Sequence, residues 1–151
     1  MDTRPRPAAA PAHLVWRLLA MLYDSLPIFA LWLAFSAIML ALRGGAPVVP
    51  WTPAFWLQAA ALWTLTGAYL VFSWRRGGQT LGMRPWRLQL VGTQDARPGV
   101  GVLWQRHAWA TLSLALGGLG FLWSLFDRER RSLHDLLSGT RLLRLPKPAK
   151  P

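Results

Sequence analysis

The sequence predicts an all-α membrane protein, with two transmembrane helices, a third hydrophobic segment that is either a re-entrant hairpin or a third span, and a small cytoplasmic β element. Three observations predict it. The apolar residues are gathered into three long blocks almost without charge, nearly all the arginines lie outside those blocks, and two short segments alternate polar and apolar residues as strands do. Only 15% of the 151 residues are charged, against about 25% in an average soluble domain. The net charge of +11 would by itself suggest nucleic acid or an anionic surface as partner. The clustering of the arginines at block ends points to the anionic lipids of a bilayer and away from nucleic acid.

Residues 1–12, rich in Pro and Ala with Arg4 and Arg6, read as a disordered leader. The apolar stretch that follows is too long for the core of a secretory signal and lacks a small-x-small cleavage site directly after it, so it reads as an uncleaved first membrane helix. This first block runs from about Leu14 to Leu42 and is uncharged from Ser25 onward. A span needs about 20 residues at 1.5 Å each, so the block has a turn or two to spare. Pro27 is expected to kink or loosen one turn. Arg43, Gly44 and Gly45 end the block, and Pro47, Pro50 and Pro53 make a short extended loop.

The second block, Ala54 to Trp74, has 21 residues without a charge and stops at Arg75 and Arg76. Trp56 and Trp74 lie near its ends, where indole rings favour the interface. Between the two blocks stands one basic residue, Arg43. Arg4, Arg6 and Arg17 come before them, and Arg75, Arg76, Arg84, Arg87, Arg97 and Arg106 after. The positive-inside rule therefore places the N-terminus and the segment after Trp74 in the cytoplasm, in a multi-pass protein of a bacterial inner membrane. In that segment Arg87 to Val91 alternates as a strand does, Gly92 to Gly99 reads as a turn, and Gly139 to Leu145 is the strand expected to pair with the first.

The third block, Ala108 to Phe126, has 19 uncharged residues. If it crosses, seven basic residues from Arg128 to Lys150 lie outside, against the charge rule. If it turns back at Gly117-Gly118-Leu119-Gly120, each half reaches about 13 Å, roughly half of the bilayer, and the tail stays inside. The same glycines would also suit close helix packing. The balance favours an inside tail. Residues 146–151 read as a disordered end.

Charge within a membrane helix costs roughly 2.5–3.5 kcal/mol on insertion scales and so usually has a purpose. Asp24 is such a residue. Arg17, seven positions earlier, shares its helix face but lies about 10 Å away along the axis, too far for a simple pair. Arg17 can snorkel to the headgroups, and the expected partners of Asp24 are Arg106, Arg131, His134 or another arginine. Asp24 then either binds a cation or relays a proton, or it clamps the first helix to the tail. A second cluster runs from Asp127 to Asp135. His134 beside Asp135 could suggest acid–base chemistry or a metal, but no further ligands are positioned, and Ser132 with Asp135 has the spacing of a helix cap. There is no cysteine, no zinc spacing, no phosphate loop and no nucleophile motif. The expectation is a non-enzyme with neither cofactor nor metal.

Arg17 with Asp24, the stretch Gly78-Gln79-Thr80-Leu81-Gly82-Met83-Arg84, and the stretch Leu133-His134-Asp135-Leu136-Leu137-Ser138-Gly139-Thr140 resemble the RDD family of membrane proteins, over about residues 13 to 145. That family is named for one arginine and two aspartates. The resemblance matches them to Arg17, Asp24 and Asp135. Met83 departs from the pattern, standing where a basic residue is common. The family has no settled molecular function. The resemblance implies a transport role, cation/proton exchange having been proposed for some members. Two or three crossings cannot alone enclose a polar pathway, and no internal repeat is present. Transport, with Asp24 as the coupling carboxylate, therefore requires a homo-oligomer or another membrane protein. The alternative is a non-transporting scaffold or accessory protein in which Arg17, Asp24 and Asp135 form a structural clamp.

Overall fold

The computed structural model describes residues 9–92 and 96–147. A two-residue strand β1 (Ala10–Pro11) leads into helix α1 (Leu14–Leu42), a loop, and helix α2 (Pro53–Gly77). Strand β2 (Leu88–Gly92) follows, then helix α3 (Val100–Ala115), the short helix α4 (Leu119–Leu122), a 3-10 turn at Trp123–Leu125, helix α5 (Leu133–Ser138) and strand β3 (Thr140–Arg144).

Local sequence accounts for the ends of these helices. Thr52 caps α2 by accepting the Phe55 N–H at 3.3 Å, and Pro53 takes the first helical position, where no N–H is needed. At the other end Gly78 adopts φ +68°, a left-handed conformation that costs glycine nothing. Its N–H returns to Trp74 O and its own carbonyl accepts the Leu90 N–H, both at 2.8 Å. The end of α2 is thereby fastened to β2. Pro27 lies inside α1, which nevertheless runs unbroken from Leu14 to Leu42.

α1 and α2 are each long and apolar enough to cross a membrane. Their surfaces are also inverted relative to a soluble protein. The only buried residues of α1 are Arg17, Ala20 and Asp24, whereas Leu22, Leu26 and Leu33 are each at least 65% exposed. Apolar side chains facing outward and charges facing inward are what a hydrocarbon surround selects.

The three strands form one antiparallel sheet in the order β1-β3-β2. β2 and β3 pair from Leu88↔Arg144 to Gly92↔Thr140, so the expected pairing of these two segments is present. The strand expected to open at Arg87 begins at Leu88, because Arg87 adopts φ +57°, outside the extended region. The turn expected over Gly92 to Gly99 closes with Gly92 N–H on Ala96 O at 2.8 Å; residues 93–95 lie outside the described residues. β1 was not expected at all. Ala10 and Pro11 pair with Arg144 and Leu143, and Ala12 is fully buried. The expected leader therefore contributes residues 10–12 to the fold; its residues 1–8 lie outside the described residues, as do residues 148–151 of the tail.

The third segment folds back. α3 begins at Val100, eight residues before the apolar block, and at Leu116–Gly118 the chain bends by 106° into α4 and the 3-10 turn. Gly117 and Gly118 adopt φ +69° and +82°, which only glycine takes without strain. Gly120 has its α-carbon against the Ser113 side chain, leaving no room for a Cβ. The turn expected at these glycines is thus present. Since β2 precedes α3 and β3 follows α5 in the same sheet, the whole third segment leaves and returns to one side of the molecule. The core lies where sheet and helices meet, with Ala12, Ala20, Val71, Met83, Leu88, Leu90, Leu103 and Leu142 packed together.

Candidate functional site

The buried charges fall into two clusters at that junction. Asp135 is completely buried at the start of α5. Its Oδ2 lies 2.5 Å from Arg17 Nη1 and accepts the Ser132 N–H at 2.9 Å, one half of a capping box. Its Oδ1 is paired with Arg106 from α3, whose Nη1 also donates to Thr140 Oγ1 at 2.6 Å. Arg17 also donates to Ser132 Oγ (2.9 Å), Arg130 O (2.9 Å) and Ala12 O (3.2 Å). One carboxylate therefore joins α1, α3, α5 and β3.

Burial alone would push the Asp135 carboxyl up. The guanidinium groups of Arg106 and Arg17 more than reverse that and hold it well below the usual carboxylate range. The neighbouring His134 goes the other way. Burial, reinforced by the Arg106 charge, outweighs the pull of Asp135 and pushes the imidazole down to about 3, so it is neutral at pH 7. Its Nε2 stands 3.8 Å from Asp135 Oδ1, beyond hydrogen-bonding distance. Its Nδ1 is buried without a hydrogen-bond partner among the described residues.

The second cluster surrounds Asp24. Its Oδ1 accepts from Tyr69 Oη at 2.8 Å and from the Gly82 N–H at 2.9 Å, and its Oδ2 accepts from Thr80 Oγ1. Gly82 lies so close to α1 that an added Cβ would meet Ala20 O and would stand 2.7 Å from Asp24 Cγ. The segment after α2 thus lays its backbone directly against the acidic turn of α1.

These contacts correct the expected pairings. Arg106, Arg131 and His134 are not hydrogen-bonded to Asp24; neutral donors occupy both of its oxygens. Arg17 does not snorkel to the headgroup layer but is 4% exposed and held by Asp135. Arg131 stands apart from both clusters. It pairs within its own turn with Asp127, Nε to Oδ2 at 3.1 Å, and with Glu129 at 3.5 Å, and its guanidinium holds the Asp127 carboxyl below its ordinary value. Arg17, Arg106, His134 and Asp135 do come together. Trp74, expected at the lipid interface, is half-buried with the Arg106 guanidinium 5.4 Å over its ring.

Sequence reasoning missed Tyr69, Thr80 and Gly82 as partners of Asp24. Tyr69 was visible as a polar tip within the second block, and Thr80 and Gly82 stand in a stretch noted only for its resemblance. No helical spacing links either to Asp24, 56 and 58 positions away.

Between α1, α2 and α3 lies a cavity of about 620 Å³. It follows α1 from Arg17 to Trp32, fifteen residues or about 22 Å, and is walled by α2 from Ala59 to Trp74 and by α3 from Arg106 to Leu114. At mid-height α2 and α3 touch through Gly67, whose missing side chain admits Trp104 and His107. There His107 Nε2 lies 3.3 Å from Trp63 O, and Trp63 Nε1 donates to Thr111 Oγ1 at 2.9 Å.

Two apolar membrane-crossing helices, a folded-back third segment and a small sheet locked on by buried charge define a helical membrane module. The RDD family model matches residues 11–139, and the chain belongs to that family. No curated protein and no solved structure matches it.

Proposed function

We propose that this protein is a non-transporting scaffold or accessory protein of the bacterial cytoplasmic membrane, and not an enzyme. One observation carries the reading: both buried carboxylates are saturated by groups of the same chain. Asp135 is held by Arg17, Arg106 and the Ser132 N–H, and Asp24 by Tyr69, Thr80 and the Gly82 N–H. Removing one partner of such a buried pair is strongly destabilising, which is the signature of a clamp. A carboxylate that exchanges ions has to give up its donors in every cycle, at the desolvation cost of each group left unmet.

In this reading the sheet, α5 and the arginines after α2 lie on the cytoplasmic side, with the N-terminus beside them. The support is the charge distribution: Arg43 alone stands in the loop between α1 and α2, while every other basic residue lies either at or before Arg17 or from Arg75 onward. The partners are anionic lipid headgroups on that basic side, and a second copy or another membrane protein along the apolar helix faces. Exposed residues such as Leu26 and Leu33 suit either lipid or a helix.

Transport is the second reading, in which Asp24 couples cation/proton exchange. The observation that favours it is that Asp24 stands on the cavity wall. Reconstitution separates the two. Wild type, Asp24→Asn and Arg17→Gln are placed in liposomes, and proton flux is followed on adding Na⁺, K⁺ or Li⁺, with thermal stability of each variant alongside. The scaffold reading expects no wild-type flux and a lower melting temperature in both variants. Flux that vanishes in a stably folded Asp24→Asn establishes transport instead.

A further inference from the structure

The third apolar block ends at Phe126, and charge follows at once in Asp127, Arg128, Glu129, Arg130 and Arg131. Phe126 is 81% exposed and Leu125 63%, so the edge of the hydrocarbon falls just before this turn. Arg131 takes both of the carboxylates. Its Nε lies 3.1 Å from Asp127 Oδ2 and its Nη1 3.5 Å from Glu129 Oε2. Arg128 and Arg130 have no carboxylate partner among the described residues. Arg130 Nη1 meets His13 Nε2 instead, a group that cannot neutralise it. The turn that presents the two arginines is held in place. Asp127 accepts the Arg130 N–H on its carbonyl and the Arg131 N–H on Oδ2, both at 2.9 Å, and the Arg130 carbonyl accepts from the buried Arg17 at 2.9 Å. Between this turn and the start of α1 lies a second cavity of about 400 Å³, whose lining includes His13, Leu14, Phe126, Arg128 and Arg130.

We infer that this cavity holds the phosphate of an anionic phospholipid, whose acyl chains pass over Leu125 and Phe126. Two guanidinium groups without a counter-ion, on one fixed turn, suit an anion, and the planar fork of arginine matches phosphate oxygens in pairs. Position selects the lipid over a free phosphate. The arginines stand at the rim of the hydrocarbon, beside exposed apolar side chains that a phosphate ion would leave uncovered and an acyl chain would cover. α1 begins on the same cavity with no side chain capping it, so the positive end of its dipole adds to the field of the arginines. The inference gives a site to the anionic-lipid partner of the proposed function and rests on that part of the reading alone.

Native mass spectrometry of the full chain in mild detergent compares dioleoylphosphatidylglycerol with dioleoylphosphatidylcholine, each with and without millimolar inorganic phosphate. One phosphatidylglycerol per chain should bind saturably, about tenfold tighter than phosphatidylcholine, and phosphate should not displace it. Arg128→Gln combined with Arg130→Gln should weaken binding about fivefold for each arginine removed. Arg76→Gln, which removes an exposed arginine at the end of α2, should leave it unchanged. A phosphatidylglycerol with a photoreactive headgroup, bound to the wild type, should label residues 124–130 in preference to 75–87, a readout independent of how the variants fold. Equal affinity for the two lipids would remove both this site and anionic lipid as a partner. An equal loss in Arg76→Gln, or labelling spread over both stretches, would leave a diffuse attraction and overturn the site alone. Release of the lipid by phosphate would show that the cavity takes the free anion, which also overturns the inference.

Discussion

Arg17 and Asp135, 118 positions apart in the chain, meet at 2.5 Å in a fully buried ion pair. Arg106 closes the same carboxylate from the other side. The first membrane helix is thereby locked to the last helix through a group that neither could leave unpaired. Asp135→Asn strands two guanidinium groups in the interior and is expected to destabilise the fold by about 3–5 kcal/mol. Chemical denaturation of the detergent-solubilised protein measures it. A double-mutant cycle with Arg17→Ala should show strong coupling, and additive effects would mean the two side chains act independently.

Gly82→Ala places a methyl group against Ala20 O and Asp24. Backbone cannot yield as a flexible side chain does, so a loss of about 2 kcal/mol is expected. Gly101→Ala is the control. It lies in α3 with nothing within 4 Å of the added carbon, and the better helix propensity of alanine should stabilise by up to about 1 kcal/mol. Equal melting temperatures for the two variants would refute the close approach of residue 82 to α1.

His134 makes the fold acid-sensitive. Its pKa falls from an ordinary 6.5 to about 3 on folding, so between those values the unfolded chain binds a proton that the folded one refuses. Stability is therefore full above pH 6.5 and declines as pH falls towards 3, by at most about 1.4 kcal/mol per unit. Asp135, depressed in the fold, adds a further loss below the ordinary carboxylate range. Melting temperatures of wild type and His134→Gln from pH 7.5 to 4.5 check the first term, and the variant should give the flatter profile.

The absence of cysteine permits single-cysteine mapping of topology. Ala46→Cys, in the exposed loop between α1 and α2, should react with an impermeant maleimide added to intact cells. Lys147→Cys, beyond β3 and also exposed, should react only after lysis. Labelling of both in intact cells would place the sheet on the outside.

Much of the fold was legible because its causes are local. Charge-free length sets the two crossing helices. The paired glycines set the turn of the third segment, since no other residue takes φ +69° and +82° in succession cheaply. Alternation located β2 and β3. β1 was not legible: two residues in a Pro/Ala-rich stretch carry no period, and only the exposed edge of β3 recruits them.

The sequence by itself determined that the chain belongs in a membrane and marked Arg17 and Asp24 as charges within its first apolar block, because hydrocarbon penalises charge wherever it occurs. Only the tertiary structure decided how they pair. Arg17 and Asp24 share a helix face, yet one is bound to α5 and the other to the segment after α2. Helix periodicity places residues within an element. Which distant carboxylate or backbone N–H meets them depends on where the chain returns after its turns, and that is decided by the packing of the whole.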